Sequence, residues 1–206
     1  MIKIKEPKVN YCVESLLDNV KYYQDALFRE NVDKLLKIKE QTIDGCIFEK
    51  IDFNNIELYK VDFLDVIFEN CDLSNKRFDF RLVERVKFKN CKMVGTSFIG
   101  ASLRDVTFEC CLGKYINFAQ TRISNFKIKD SDFTSASFLE TELKNVEFEN
   151  VNFSQSEISH TNFSGIDFSS CKLSGFMIDF DSLKGIIVNQ FQAAEIVSLL
   201  GIEVKY

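Results

Sequence analysis

The chain has 206 residues with 26 Lys+Arg against 31 Asp+Glu, a net charge of −5, so it is sized for one domain and disfavours holding nucleic-acid phosphates on a general basic surface. No stretch approaches the roughly 20 apolar residues of a membrane-spanning helix, and Met1–Lys8 is polar and charged, so no membrane contact and a cytoplasmic address are expected. The seven cysteines are odd in number and form no CxxC, which favours reduced, mostly buried thiols over a disulfide framework or a zinc site.

In chain order, residues 1–20 are expected to form a helical or irregular N-terminal cap, because Val13, Leu16, Leu17, Val20 and Leu27 have roughly helical spacing. From residue 21 a different rhythm begins. Tyr23, Phe28 and Ile38 share its phase, with Asp33 the exception, and from Ile43 to Val188 every fifth residue is apolar except Gly113. This is neither the 3.6-residue period of a helix nor plain strand alternation. Two residues before each of these positions the side chains are mostly small or β-branched (Cys46, Val61, Val66, Cys71, Val86, Cys91), and the residue between is often Asp or Asn, as at Asp52, Asp62, Asp72, Asn117 and Asp132. Gly or Asn recurs two residues after, at Gly45, Asn70, Asn90, Gly95 and Gly165, where a corner needs a tight or left-handed backbone. Short extended sides separated by corners must coil. Successive coils then pair in parallel and stack equivalent residues into ladders, which gives the 21 phenylalanines a place.

The motif of a small residue, Asp or Asn, Phe or Leu and two polar residues resembles the bacterial pentapeptide-repeat family. The resemblance implies an all-β solenoid over 21–188, a right-handed, four-sided parallel β-helix with twenty residues per coil. Periodicity alone leaves the number of sides open: Cys71, Cys91 and Cys111 recur at twenty, whereas Phe133–Leu143 and Phe163–Leu173 suggest fifteen. On four sides those three thiols form an interior ladder. Lys76 and Arg81 occupy inward positions, so a bulge or snorkelling side chains are expected there.

Residues 189–206 read as a capping helix and tail. Asn189 and Gln192 have capping-box spacing, Phe191, Ala194, Val197 and Leu200 fall on one side of a helix, and Gly201 suits its C-cap. Leu183–Val188, Gln192-Ala193 and Leu200–Ile202 look like the C-terminal cap of the Qnr group of that family. This resemblance implies a homodimer through Phe191, Val197, Leu200, Ile202 and Val204; the alternative is an end cap in a monomer.

No nucleophile–base constellation, phosphate loop or metal-spaced cluster occurs, the single histidine, His160, sits at a corner, and neither an enzyme nor a cofactor is expected. Residues 131–206 carry 4 Lys+Arg against 11 Asp+Glu, with Glu140, Glu142, Glu147, Glu149, Glu157 and Asp167 outward. Qnr and mycobacterial fluoroquinolone-resistance members resemble duplex DNA in shape and charge and bind type II topoisomerases. The resemblance therefore implies a DNA mimic whose partner is DNA gyrase or topoisomerase IV, with no direct nucleic-acid binding and a link to antibiotic resistance. The alternatives are a scaffold for another protein, or acids that merely keep the rod soluble. Unlike the topoisomerase-protecting members, the repeats show no interruption that could project a loop. The basic run Lys76, Arg77, Arg81, Arg85, Lys87, Lys89 and Lys92 also departs from a uniform mimic.

Overall fold

A computed structural model describes residues 2–10, 13–14, 22–199 and 201–204. The chain is a right-handed, all-parallel β-solenoid of about 8 turns with a single C-terminal helix. Its strands are β1 (Val13–Glu14), β2 (Ala26–Phe28), β3 (Leu36–Asp44), β4 (Ile47–Glu49), β5 (Ile56–Glu69), β6 (Leu82–Lys89), β7 (Ser102–Glu109), β8 (Arg122–Lys129), β9 (Glu142–Glu149), β10 (Glu157–Ile158) and β11 (Met177–Ile178), followed by α1 (Gln190–Leu199). Each of β5 to β8 pairs with its successor at an offset of twenty residues, as in Phe68↔Phe88, Phe88↔Phe108 and Ile128↔Phe148. Single bridges such as Asp72↔Lys92 and Ser97↔Asn117 continue the same offset on the other two sides. Twenty residues at five per side make four sides, so the fifteen-residue alternative does not hold. The outward midpoints are 62, 82, 102, 122 and 142 on the first side, then 67–147, 72–152 and 77–157 on the second, third and fourth.

The corners explain the beat. Among the described residues, twenty-two non-glycine positions have positive φ, every one at a number divisible by five, from Asp25 to His160. They include Lys50, Phe80, Arg85, Cys110, Tyr115 and Glu140, which have no liking for that region. A left-handed residue costs on the order of 1 kcal/mol, and the parallel ladder must offset it at each corner. Glycine or asparagine is therefore not required at a corner. What is required is the coil-to-coil pairing, in which corner amides such as those of Lys50, Asn70 and Asn90 donate to carbonyls one coil on.

The core is a filled column. Phe28, Phe48, Phe68, Phe88 and Phe108 stack with centroid spacings of 5.1, 5.1, 5.1 and 4.7 Å. Phe78, Phe98, Phe118 and Phe138 form a second stack at 4.8, 5.4 and 5.0 Å, edge-on to the first. Such spacings follow the parallel-strand separation of about 4.8 Å. The small inward residues do more than fill. Thr96, Thr121, Thr141 and Ser156 are buried, and each hydroxyl donates to the carbonyl 23 residues earlier, on Leu73, Phe98, Phe118 and Phe133. The Cys71, Cys91 and Cys111 thiols form the expected interior ladder and make the same contact with Phe48, Phe68 and Phe88.

Gly113 is the gap in the apolar series. A Cβ there would lie 2.9 Å from the Phe133 ring, which leans into the vacant place and meets Phe108 edge-on at 5.6 Å. At Lys76 and Arg81 the register continues unbroken, so there is no bulge. Both side chains snorkel: Lys76 Nζ donates to the Ile56 carbonyl at 3.0 Å and Arg81 Nε to that of Asp79 at 3.3 Å.

The five-residue phase does slip once, near the C-terminal end. Between Asp179 and Gly185 turns replace a side, Ser182 rather than Asp181 is buried, and the Thr161 amide meets the Ser182 hydroxyl 21 residues on. Asp167↔Ile187 restores the offset of twenty. Helix α1 then closes the end. The Phe191 and Gln192 amides donate to Asn189 Oδ1, while the Asn189 amide donates to Gln192 Oε1 at 2.8 Å, a reciprocal capping box. Gln192 Nε2 also donates to the Phe168 and Cys171 carbonyls, at 2.8 and 2.7 Å. Gly201 has φ of 76° and its amide donates to the Ser198 carbonyl, as a helix C-cap should.

At the other end, Val13 and Leu27 lie in strands β1 and β2, and residues 2–10 contain no helix. Cys12, Leu16, Leu17 and Val20 lie outside the described residues.

Candidate interaction surface

The six outward acids do not share one face. Glu147, Glu149 and Asp167 are on the second side, Glu142 on the first, Glu157 on the fourth, and Glu140 on the corner between the fourth and the first. Several are engaged by the coil before. Lys127 binds Glu147 at 2.6 Å and Glu149 at 2.9 Å, Lys129 binds Glu149 at 2.9 Å, and Arg122 approaches Glu142 at 3.5 Å. Gln120 donates to Glu140 at 2.9 Å. The Lys127 ammonium and then the Ile2 amide hold the Glu147 carboxyl below its usual range. The Ser169 side chain and then the Ser169 amide, which donates to Asp167 Oδ1 at 2.7 Å, hold the Asp167 carboxyl below its usual range.

That last contact recurs. Asp72, Asp132, Asn152 and Asn162 each accept the amide two residues on, from Ser74, Thr134, Ser154 and Ser164. The outward Asp or Asn is thus partly a structural device that pins the next turn. Its signal is present in the sequence as Asp/Asn-x-Ser/Thr, where it passes for surface charge alone.

The basic run is similarly absorbed. Lys89 pairs with Glu69 and Lys92 with Asp72, both at 2.8 Å, Arg77 pairs with Asp79 at 2.7 Å, and Arg85 grips Asp65 through two bonds of 2.7 Å. Glu84 is held between Arg85 and Arg104. Most of these pairs join residues twenty apart, so they reinforce the coil stack. The solvent-exposed pairs, such as those of Lys89 and Lys92, are screened and contribute little each, whereas Arg85 and Asp65 are largely buried.

Among the residues expected at a dimer interface, Phe191, Ile202 and Val204 are exposed, Phe191 at 69%, and Val197 is half-buried. Leu200 lies outside the described residues. The helix seats itself on the solenoid through Gln192 and Ile196 instead, leaving Phe191 outward; Phe180 and Ile187, shortly before it in the chain, are exposed as well. A cleft of about 630 Å³ between α1 and Gly201–Val204 is lined by Ala194, Ser198, Ile202 and Val204.

Of the titratable groups outside these surfaces, Cys110 is exposed and Cys111 buried, as their adjacent positions require. Burial pushes the Cys46 thiol up to about 11, and the neighbouring Cys91 together with burial raises those of Cys71 and Cys111. His160 is exposed at its corner and its amide donates to Asp179 at 2.7 Å. Among the described residues no three His, Cys, Asp or Glu side chains gather as metal ligands, and no helix is long and apolar enough to cross a membrane.

Residues 41–118 match the sequence profile of a pentapeptide repeat region, and residues 116–155 and 140–175 match that of pentapeptide repeats in 8 copies. Curated proteins offer no match. Among solved structures, full-length QnrB1, described as a plasmid-mediated fluoroquinolone resistance protein, is 18% identical, with 87% of this chain and 89% of that chain covered and a TM-score of 0.45. The pentapeptide repeat protein Rfr23 from the cyanobacterium Cyanothece 51142 is 13% identical, with 58% and 88% covered and a TM-score of 0.42.

Proposed function

Because the chain belongs to the pentapeptide-repeat family, its repeats matched from residue 41 to residue 175, we propose that it is a non-enzymatic binding protein whose rigid sides present a fixed pattern of charge to a protein partner. The finer reading is a DNA mimic for a type II topoisomerase such as DNA gyrase or topoisomerase IV. The observation that carries it is the charge asymmetry along the rod: 11 acids against 4 bases in residues 131–206. Ion pairs with Arg122, Lys127 and Lys129 temper the first and second sides, and Glu157 and Asp167 have no ion pair among the described residues. An acidic end of this kind complements a basic surface that otherwise holds duplex phosphates. The exposed apolar patch of Phe191, Ile202 and Val204 suits a two-fold dimer, which would place two acidic ends about one axis.

The test is direct binding of purified protein to DNA gyrase at low and high salt, with a supercoiling assay alongside. An electrostatic mimic inhibits or modulates supercoiling at micromolar protein and weakens steeply as salt rises. No binding at either salt concentration removes the topoisomerase reading and leaves the scaffold, whose partner a pull-down would then have to supply. The pairing of three of the six acids is the specific observation that favours keeping this second reading.

A further inference from the structure

Residues 2–9 run along the outside of the solenoid, against the direction of coil growth, and are held there by backbone amides. The Lys8 amide donates to Asp65 Oδ1 at 2.8 Å, the Lys5 amide to Asp105 Oδ1 at 3.0 Å, and the Ile2 amide to Glu147 Oε2 at 2.9 Å. These acceptors line the column at the corner between the first and second sides: Asp65, Arg85, Asp105, Asn125 and Asn145, with Glu147 adjacent. The periods match. Three residues of an extended or polyproline-like chain advance about 9–10 Å, and two coils advance about the same distance. Every third amide of the segment therefore meets every second coil.

The acceptors are built for this. Asp65 and Asp105 are carboxylates only 6% and 2% exposed, an unusual depth for acids on a solenoid exterior. The residues of the alternate coils orient them: Arg85 grips both oxygens of Asp65, and Asn125 Nδ2 donates to Asp105 Oδ1 at 3.1 Å. Lys127 does the same for Glu147. The occupant alternates, with Ile2, Ile4, Pro7 and Val9 half-buried and Lys3, Lys5 and Lys8 exposed, Glu6 being the one exposed acid among them. Beneath it lies a depression lined by Thr107, Glu109, Lys127 and Lys129. Backbone amides carry no side-chain identity, so what the column reads is an extended chain with apolar residues on one edge and basic residues near its carboxylates.

We propose that this corner column is a docking groove for an extended segment of a partner protein that alternates apolar and basic residues, and that residues 2–9 occupy it in cis as a built-in competitor. The groove shares only Glu147 with the six acids of the acidic end, and its other two acceptors lie outside them, so its role does not depend on the topoisomerase reading.

The test uses the full chain and a fluorescein-labelled peptide with the sequence of residues 2–10, followed by anisotropy. In the wild type the tethered segment competes and the peptide binds weakly. The variant Ile2→Asp/Ile4→Asp loosens the tethered segment without touching the column, and its affinity for the peptide should rise at least tenfold. Adding Asp105→Ala to that variant removes the central acceptor and should cost at least tenfold again, with far-ultraviolet circular dichroism checking that the coils remain. Equal affinity of wild type and loosened variant would overturn the proposal, as would peptide binding indifferent to Asp105→Ala. Proton–deuteron exchange supplies an independent arm: slow exchange at Lys5 and Lys8 in the wild type, fast in the loosened variant. Fast exchange at both positions in the wild type would count against an occupied groove.

Discussion

At Gly113 the backbone has no need of glycine's conformational freedom; what matters is the missing side chain, since the Phe133 ring fills that place. Gly113→Leu restores the apolar series and yet should destabilise by about 1–3 kcal/mol, because it overpacks a filled column. Phe133→Leu in the same molecule should recover most of that loss, giving a large coupling energy in a double-mutant cycle followed by urea unfolding. Additive effects would show that the two sites do not share one volume. Asp179 offers a second test. Its carboxylate accepts the Ser182 hydroxyl at 2.6 Å and the Ser182 and Asp181 amides at 3.0 and 2.9 Å, with the Ser182 contacts leading in holding its pKa well below the usual range. A depressed folded value means that stability is fully present above the unfolded value of about 3.9 and is lost as pH falls toward the folded one. Asp179→Asn should therefore melt below the wild type at pH 7, and the gap should narrow as pH drops below about 4. A gap independent of pH would assign the effect to shape and not to charge.

The elements that matter most are the two ends, where an unpaired coil would expose a row of donors and acceptors. Helix α1 meets this need with Gln192, which fills two roles at once: it completes the capping box and donates to two carbonyls of the last coil. Gln192→Leu strips the Cys171 carbonyl of its donor, leaves the Phe168 carbonyl only the Cys171 amide and breaks the capping box, and should cost about 1–3 kcal/mol. In a stack where each coil touches only its neighbours, the damage should stay local. Hydrogen exchange should accelerate in residues 163–178 and remain unchanged in β6 and β7; uniform acceleration would mean that the solenoid unfolds as one unit. The basic run shows the same logic on the sides. Its residues suggest a separate interaction surface when taken alone, but a neighbour twenty residues away in sequence is about 5 Å away in space, and there the acids Asp65, Glu69 and Asp72 wait.

Taken whole, the rod has one acidic end, one apolar patch at that end, and a strap along one corner. If the patch joins two copies, Ile202→Asp should convert a dimer to a monomer by light scattering without altering the circular dichroism of the coils. A wild-type chain that is monomeric at micromolar concentration would discard the dimer and with it the doubled acidic surface. The strap and the acidic end meet at Glu147, which binds both Lys127 and the Ile2 amide. A partner that claims Glu147 must therefore displace the end of the strap, so the two surfaces are coupled through one carboxylate.

The coil was legible from residue order alone. A five-residue beat carried by Phe28 through Phe168 admits one way of hiding the rings, because inward position recurs with chain position and needs no distant contact to define it. The end cap was legible too, since Asn189 and Gln192 speak to each other over three residues. Contacts between residues twenty or more apart were not: four sides in place of three, the pairing of Glu147 and Glu149 with Lys127 and Lys129, the lean of Phe133 over Gly113, and the slip at Ser182. Farthest from reach was the strap, whose amides find Asp65, Asp105 and Glu147 at separations of 57, 100 and 145 residues. Backbone donors leave no mark in sequence, and only the finished stack brings alternate coils to the spacing that an extended chain can read.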